Sequence, residues 1–484
     1  MGARSKVVAA SSAIALALAA VPLLASPVAA APPRAPLDAI AAPSAAPRNA
    51  QSLGALPPAA NLELDLGLTS KDPAGLSAAV TAVSTPTSTH FRQFLSPGVA
   101  LERFGPSPSA VAEVTAAVRA AGLSVNPSRS GAFTLGVDGT ALAIDRFFHL
   151  QLNRYRLGRT VGWAAVGAPR VTSAIAPLLT GVSGLTSFAK PHAEAVQTSR
   201  LSAPVPCATA ASASANGGSH STDQLATAYG LNALYARGIT GKGLTIGVEE
   251  FGPYSPNDLA TYEACYGVTT PISAVNIDGG PGAISGSNVP EEADLDIEEV
   301  ASLLPGAKVV VYQANNDAPT ASIDVLHAIV TADLAQVVTT SWGICEALAT
   351  DPGGWDQETP YFQTMALQGQ TMVAASGDQG SSDCYDANSH PSAATAVDDP
   401  ASQPLVTGVG ATTLQGVNPA TQTVWGNGSL SGGASGGGAA ASGGIIIMAV
   451  RAGTSRKRAS PSPARRRMAW RRAARSAPRM TAPT

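Results

Sequence analysis

The sequence has little charge, and after its N-terminus it has no long apolar run. Asp, Glu, Lys and Arg make up only 13% of the 484 residues, and no Asp or Glu follows Asp399. Beyond residue 31, no apolar run reaches the roughly 20 residues that a membrane-spanning helix needs, so we predict no membrane partner. Hydrophobic residues make up 45% of the chain, and its length indicates two folded domains with sizeable cores.

Cysteine is also scarce. The chain has four, Cys207, Cys265, Cys345 and Cys384. No two of them have the CxxC spacing that is typical of zinc sites, so disulfides are favoured over metal binding and no metal site is predicted. Four cysteines can pair in three ways, and their spacing does not choose between them.

The first 31 residues have the three parts of a secretory signal peptide. Arg4 and Lys6 give a basic start, an apolar run follows, and small residues lie at 28–30. This pattern predicts cleavage near Ala30 and a secreted, extracellular protein. Disulfides persist in that compartment.

Composition divides the rest of the chain into five segments. Residues 32–60 are rich in Ala and Pro and are predicted to be a linker. Strand and helix patterns interleave over 61–187, which favours an α+β unit, and 188–218 is a second predicted linker with a processing site. Over 219–438, short apolar strands spaced by helices indicate an α/β domain with a covered parallel sheet. Residues 439–484 are predicted to be a disordered basic tail.

A helix predicted over 292–304 carries carboxylates among its apolar residues. Glu292 and Asp296 are four residues apart, so on a helix one side chain lies above the other. Two adjacent carboxyls cannot both ionise cheaply, so the pair can hold a proton and act as a general base. The alternative is a solvated acidic first turn, which the helix dipole would favour.

Polar residues also follow two predicted parallel strands. Ser341, Trp342 and Gly343 come directly after one strand, and residues 376–380, which include Asp378, come after the next. Loops at the carboxyl ends of parallel strands are where sites are built. We therefore expect these two loops to border one site.

Short motifs occur in a fixed order in both folded regions. The first region has them at 86–96 and 103–108, and the second has them at 235–243, 250–252, 292–297, 341–343, 375–378 and 406–410. The first set resembles the activation prodomain of kumamolisin-type sedolisins. The second resembles the catalytic domain of the same family, the serine-carboxyl peptidases. The resemblance implies a subtilisin-like parallel-sheet catalytic domain preceded by an α+β prodomain.

The resemblance also implies roles for the acidic residues. Glu292 would be the general base toward a serine, and Asp296 would orient Glu292 and share its proton. Asp378 would be the oxyanion-hole residue, because a protonated carboxyl can donate a hydrogen bond to the oxyanion, and such chemistry implies acidic pH. Glu250 aligns with an acid that supports the catalytic residues in some members, or is a surface acid at a strand end.

Ser341, Trp342 and Gly343 resemble the segment that binds substrate by pairing with peptide backbone. The implied partners are a peptide or protein substrate and the chain's own prodomain, acting as an intramolecular inhibitor and folding aid. We expect a monomer. In this setting the preferred disulfides are Cys207 with Cys265 and Cys345 with Cys384. A basic tail that contacts nucleic acid is the competing hypothesis for 439–484, but we predict no nucleic-acid partner.

The nucleophile and the calcium site of the family have no clear counterpart. The only Gly-Thr-Ser ends at Ser455 and runs directly into three cations, which are costly to bury at a helix start. Calcium is expected from the family, but its site needs carboxylates, and none follows Asp399. We interpret the tail as an out-of-frame or degenerated end and predict a truncated, inactive serine-type endopeptidase.

Two alternatives remain at this stage. A subtilisin-type protease needs a catalytic His, usually followed by Gly, and none of the six histidines here is followed by Gly. A non-enzymatic secreted protein that binds peptides would keep the cleft without hydrolysis.

Overall fold

The computed structural model describes residues 36–42, 46–47, 49–96, 98–193, 206–208, 210–211, 220–285, 288–346, 354–378 and 396–424. The predicted signal peptide and basic tail lie outside these ranges, as do Cys384 and Ser455. Among the described residues, no helix has both the length and the apolar character needed to cross a membrane.

The N-terminal region is built from antiparallel sheets and short helices. Its strands are β1 (Leu37–Ala39), β2 (Gln51–Ala55), β3 (Asn61–Leu68), β4 (Ser124–Gly131), β5 (Thr134–Thr140), β6 (Gln151–Leu157), β7 (Thr160–Val166), β8 (Arg170–Thr172) and β9 (Leu179–Ser183). Its helices are α1 (Pro73–Ser84), α2 (Val99–Phe104), α3 (Pro108–Ala120) and α4 (Ala141–Phe148). The main sheet has the order β4-β5-β3-β9. Leu64 and Leu66 of β3 are buried with Val118 of α3 and Phe148 of α4, which gives the predicted α+β unit a core of its own.

Two strands occupy the segment 32–60, which its Ala and Pro content predicts to be a linker. β1 pairs with β8 and β2 pairs with β6. Most side chains of β1 and β2 are exposed. Residues 32–60 therefore lack the alternation of apolar and polar residues that would predict a strand. β1 and β2 form because their backbones pair with strands far away in the sequence.

The C-terminal region holds a parallel sheet. Its strands are β10 (His192–Ala193), β11 (Thr245–Glu250), β12 (Ile272–Asn276), β13 (Lys308–Gln313), β14 (Val337–Thr340), β15 (Trp342–Cys345), β16 (Thr371–Ala375), β17 (Asp398–Asp399), β18 (Val406–Val409), β19 (Thr412–Gln415) and β20 (Thr421–Val424). The helices are α5 (Thr222–Ala228), α6 (Asn232–Tyr235), α7 (Pro256–Tyr266), α8 (Glu291–Leu303), α9 (Ala321–Ala332) and α10 (Gly354–Gln368). Six strands pair in the order β12-β13-β11-β14-β16-β18, all parallel.

Both faces of this sheet are covered, as the continuous apolar strands predict. Val309 and Val311 of β13 pack on one face with Ile297 of α8. Val310 and Tyr312, which alternate with them, pack on the other face with α9 and α10. The predicted α/β fold class, a parallel-sheet domain preceded by an α+β domain, is confirmed.

The N-terminal domain docks on α10. The Phe133 and Tyr361 rings meet edge to face with centroids 5.8 Å apart, and Thr134 Oγ1 lies 2.6 Å from the Tyr361 hydroxyl. The Leu95 amide donates to the Leu367 carbonyl at 2.7 Å. Leu76 and Phe104 of the first domain share a buried cluster with residues of the second, so the two domains form a continuous apolar interface.

The second predicted linker, 188–218, also contains described structure. β10 pairs antiparallel with β15, with His192 opposite Gly343. Cys207 and Cys265 form the disulfide that the resemblance favours. Cys345 is disulfide-bonded as well. Its expected partner, Cys384, lies outside the described residues, so that pairing stays a prediction.

Candidate active site

Helix α8 places its carboxylates inside the protein. The helix follows Pro290 and begins with three acidic residues in its first turn, where the helix dipole favours negative charge. Glu292 is nevertheless only 6% exposed, and Asp294 is buried, with its Oδ1 accepting the Ser255 amide at 2.7 Å. The alternative of a solvated acidic turn therefore does not describe this helix, because its first turn packs against the body of the domain.

Asp296, one turn after Glu292, contacts the end of the parallel sheet. The Ser341 hydroxyl donates to Asp296 Oδ1 at 2.7 Å. Ser341 directly follows β14, whose neighbour β11 ends at Glu250. The C-terminal ends of β11 and β14 thus lie next to each other, at the face of α8 that carries Asp296.

Glu250 completes this group. Its Oε2 accepts the indole Nε1–H of Trp342 at 2.7 Å, and its carboxyl lies beside that of Asp296. Glu250 Oε1 and Asp296 Oδ2 are both buried without a donor among the described residues. Two carboxyls can share a hydrogen bond only if one of them carries a proton. A proton on one carboxyl therefore joins Ser341, Asp296, Glu250 and Trp342 in one hydrogen-bonded chain. Of the two readings of Glu250, the surface acid is wrong, because the side chain is buried.

Burial raises the pKa of the two carboxyls in this hydrogen-bonded group. It raises the pKa of Glu250 well above the ordinary range, and the neighbouring Asp296 charge adds to the rise. Burial also raises the pKa of Asp296, although the Ser341 and Glu250 hydrogen bonds oppose the rise. The pair consequently retains a proton well above the pH at which exposed carboxyls lose theirs.

Asp378 lies at the same edge of the sheet. It comes shortly after β16, which pairs in parallel with β14, so Asp378 and Ser341 follow neighbouring strand ends. Its side chain is partly buried. The backbone therefore brings the loop of the predicted oxyanion residue beside the loop of the predicted substrate segment.

The predicted substrate segment is the central strand of a small three-stranded sheet. β15 pairs with β10 on one side and with β17 on the other. A Cβ at Gly343 would lie 2.6 Å from Asp398 Oδ2, so only glycine allows this approach. His192 Nε2 lies 3.7 Å from the same Asp398 oxygen. The segment that joins the two domains thus lies where the sequence predicts that a peptide binds.

A second group of buried carboxyls was not expected. Glu358 is hydrogen-bonded to Asp399, and Gln403 Nε2 donates to Glu358 Oε2 at 3.2 Å and to Asp399 Oδ1 at 2.9 Å. Burial raises the pKa of nearby Glu249 to about 8. With Trp342 these residues border a cavity of about 30 Å³. Only the paired acids at 398–399 could have drawn attention to them.

Metal ligands do not assemble in the part of the chain that is described. No group of three or more His, Cys, Asp or Glu residues there could hold an ion. The calcium implied by the resemblance therefore finds no fitting ligand set among these residues, and no step below depends on it.

Two family models match the chain. The pro-kumamolisin activation domain matches residues 48–188, and the subtilase family matches residues 278–469. The first match includes β2, in agreement with the pairing of that strand with β6. The second spans Asp296, Asp378 and also Ser455.

Three curated relatives are similar over most of the chain. Sedolisin from Pseudomonas sp. (strain 101) is 28% identical over 378 residues, which are 75% of this chain and 62% of that protein. Xanthomonalisin from Xanthomonas sp. (strain T-22) is 27% identical over 399 residues, 76% of this chain and 47% of that protein. Kumamolisin from Bacillus sp. (strain MN-32) is 31% identical over 337 residues, 66% of this chain and 56% of that protein.

The chain therefore spans between 47% and 62% of the length of these relatives. The two family matches follow each other in the order that a precursor requires. Together, the two family matches and the three relatives support a precursor of the sedolisin family of serine peptidases, with an activation domain.

Proposed function

We propose that the chain is the precursor of a secreted endopeptidase that hydrolyses peptide bonds at acidic pH. The observation that supports this most directly is the series of contacts that runs from Ser341 through half-buried Asp296 to buried Glu250. It lies beside Glu292 and at the edge of the sheet where Asp378 lies. Such a chain holds a proton that a catalytic base can use.

In the proposed mechanism, Glu292 takes the proton of a serine hydroxyl as the oxygen attacks the peptide carbonyl carbon. Asp296 orients Glu292 and shares the proton. Protonated Asp378 donates a hydrogen bond to the oxyanion that forms. Glu292 then returns the proton to the leaving amine, and water releases the acyl group by the same steps. Ionisation of Asp378 would remove the donor, which accounts for the acidic working range.

We propose further that this chain has little or no activity as given, because Ser455 runs directly into cations that resist burial. Hydrolysis of a denatured protein substrate across mildly acidic to neutral pH tests this, with Ser455→Ala and the matched Ser460→Ala. Turnover that Ser455→Ala abolishes and Ser460→Ala retains would overturn the proposal of inactivity and support Ser455 as the nucleophile. Absence of turnover in all three proteins agrees with it.

Peptide binding without hydrolysis is the second candidate, because β10 already pairs with β15 as a peptide would. Fluorescence anisotropy of labelled peptides at mildly acidic pH measures it. Weaker binding by Gly343→Ala than by Gly252→Ala is expected if β15 carries the contact. Equal binding by the two variants would contradict this assignment.

A further inference from the structure

Two aspartates from different domains meet inside the interface. Asp65, in β3, is 0% exposed, and Asp324, in α9, is 4% exposed. The two carboxyls lie close enough to affect each other's pKa, and the Oδ2 atom of each is buried without a hydrogen-bond donor among the described residues. A carboxylate only accepts hydrogen bonds, so a hydrogen bond between them requires a proton on one of the two groups.

The first domain supplies one positive charge to the pair. Arg129 Nη1 lies 3.1 Å from Asp65 Oδ1, and its Nη2 lies 2.5 Å from Asp138 Oδ1. Asp138 is partly exposed, so water screens its charge, whereas the guanidinium is buried. Glu63, on the same strand as Asp65, adds a more distant negative charge. One buried positive charge thus faces two buried carboxyls. The net charge of this group is zero only if one of the two carboxyls is protonated.

The second domain brings further negative charge to the pair. Asp278 adds negative charge near both aspartates. Burial lowers the pKa of His327, which keeps its imidazole neutral, and burial raises the pKa of the Tyr361 hydroxyl, which stays protonated. His327 lies so close to Gly131 that a Cβ there would be 2.6 Å from its Nε2.

We propose that Asp65 and Asp324 share a proton across the domain interface, so that docking of the prodomain binds a proton and weakens as pH rises. The contact joins the two domains and does not depend on catalysis. It would hold whether or not the chain hydrolyses peptides.

The direction follows from linkage. Burial raises the pKa of both groups in the docked state, and the Asp65 charge adds to the rise at Asp324. At Asp65 the Arg129 charge and the contact with Asp324 oppose the rise but do not cancel it. After separation each carboxyl meets water, and its pKa falls toward the ordinary value. A group whose pKa is raised in the docked state contributes fully below its ordinary pKa, and the contribution is lost as pH rises through the raised value. Acid therefore tightens this contact and alkali loosens it.

This direction has a consequence for activation. If the enzyme works at acidic pH, its prodomain is held most firmly by this pair in the working range. Acid alone would then not release the prodomain through Asp65 and Asp324, and cleavage of the connecting segment would be needed.

Hydrogen exchange of the full chain tests the proposal. The Leu95 amide, which bonds to the Leu367 carbonyl across the interface, reports domain opening, and amides of β13 serve as an internal reference. After correction for intrinsic base catalysis, the opening constant at Leu95 should rise by up to about tenfold per pH unit from about pH 7 to about pH 9. The β13 amides report unfolding of the second domain, and they record separately the pH dependence that Glu249 gives it.

Asp324→Asn is the informative variant, because a carboxamide donates to Asp65 as a protonated carboxyl does. Its Leu95 profile should be flat over this range. Asp333→Asn, at the end of the same helix, should keep the wild-type slope. A flat wild-type profile or a wild-type slope in Asp324→Asn would each overturn the proposal.

A second measurement covers the case in which Asp324→Asn does not fold. Infrared difference spectra of the wild type between about pH 7 and about pH 9 should show loss of a protonated-carboxyl band. Asp65→Asn should show a smaller loss than the wild type, because Glu249 still ionises in this range, and Asp333→Asn should retain the full wild-type loss. An unchanged difference band in Asp65→Asn would contradict proton sharing.

Discussion

The indole of Trp342 is the hydrogen-bond donor of a buried carboxyl. Trp342→Phe keeps an aromatic ring against Phe251, whose centroid lies 5.7 Å away, but removes the donor to Glu250 Oε2. A buried acceptor that loses its partner costs about 1–3 kcal/mol. We expect Trp342→Phe to lower the free energy of unfolding by that amount in denaturant titration.

Trp163→Phe is the control for this substitution. The Trp163 indole donates to the Gly184 carbonyl at 3.2 Å, but the side chain is only partly buried, so water can replace the bond. Its cost should stay below about 1 kcal/mol. An equal loss of unfolding free energy in the two variants would show that the hydrogen bond to Glu250 stabilises the fold no more than the one made by Trp163.

Glu249 makes the free energy of unfolding depend on pH. Burial first, and the Asp399 charge second, raise its pKa to about 8. Because the folded pKa is the higher one, the stabilisation is complete below the ordinary glutamate pKa and is lost as pH rises toward 8 and above. Denaturation at a series of pH values should show a decline of a few kcal/mol over this range.

Glu249→Gln should flatten this decline in part, since the amide does not ionise. The exposed Glu291, in the first turn of α8, provides the control, and Glu291→Gln should leave the slope as in the wild type. The same slope in Glu249→Gln and in the wild type would exclude Glu249 as its source.

Of the two groups of acidic residues in the second domain, the sequence predicts the one on α8 and does not predict the one around Asp399. Glu292 and Asp296 are recognisable because they share one helix at a four-residue spacing. Glu249, Glu358 and Asp399 come from two strands and a helix that lie far apart in the chain. Only the fold brings them together, so no local pattern could have indicated their contact.

Among the elements, β15 depends on a close approach at Gly343. Gly343→Ala would place a Cβ 2.6 Å from Asp398 Oδ2 and 2.8 Å from Asp398 Cβ, which must separate β15 from β17. Overpacking of this kind costs about 1–3 kcal/mol. We expect Gly343→Ala to lower the midpoint of chemical denaturation accordingly.

Gly252→Ala is its matched control, because the nearest atom to a Cβ there is Trp342 Cζ2 at 3.4 Å, an ordinary contact. It should be close to neutral. If Gly343→Ala is as stable as Gly252→Ala, β17 can move away from β15 without a loss of stability, and the prediction is wrong.

The sequence predicts those strands that consist of a continuous apolar run and those helices whose apolar residues recur at helical spacing. β13 and β14 lie where continuous apolar residues place them, and α8 lies within a residue of its expected bounds. β12 is largely exposed and α7 is mostly polar, so neither stands out in the sequence. Their positions depend on pairing and packing with residues elsewhere in the chain.

For the whole molecule, the Thr134–Tyr361 hydrogen bond tests how firmly the two domains are joined. Tyr361→Phe keeps the ring contact with Phe133 but removes the hydroxyl 2.6 Å from Thr134 Oγ1. The buried Thr134 hydroxyl then lacks this partner, at a cost of about 1–3 kcal/mol. Faster hydrogen exchange at the Leu95 amide is expected.

Tyr229→Phe removes a hydroxyl from a ring that is 55% exposed and should leave Leu95 exchange unchanged. Equal exchange in the two variants would show that the apolar contacts alone hold the domains together.

The strand order of the parallel sheet also bears on the order in which the molecule can fold. β11, first of the six strands in the chain, pairs with β13 and β14, which come some 60 to 90 residues later. The antiparallel core of the first domain closes on residues 40–185 alone. During synthesis the prodomain can therefore be complete while β11 still lacks both neighbours, and its finished surface is available as a template when α10 emerges.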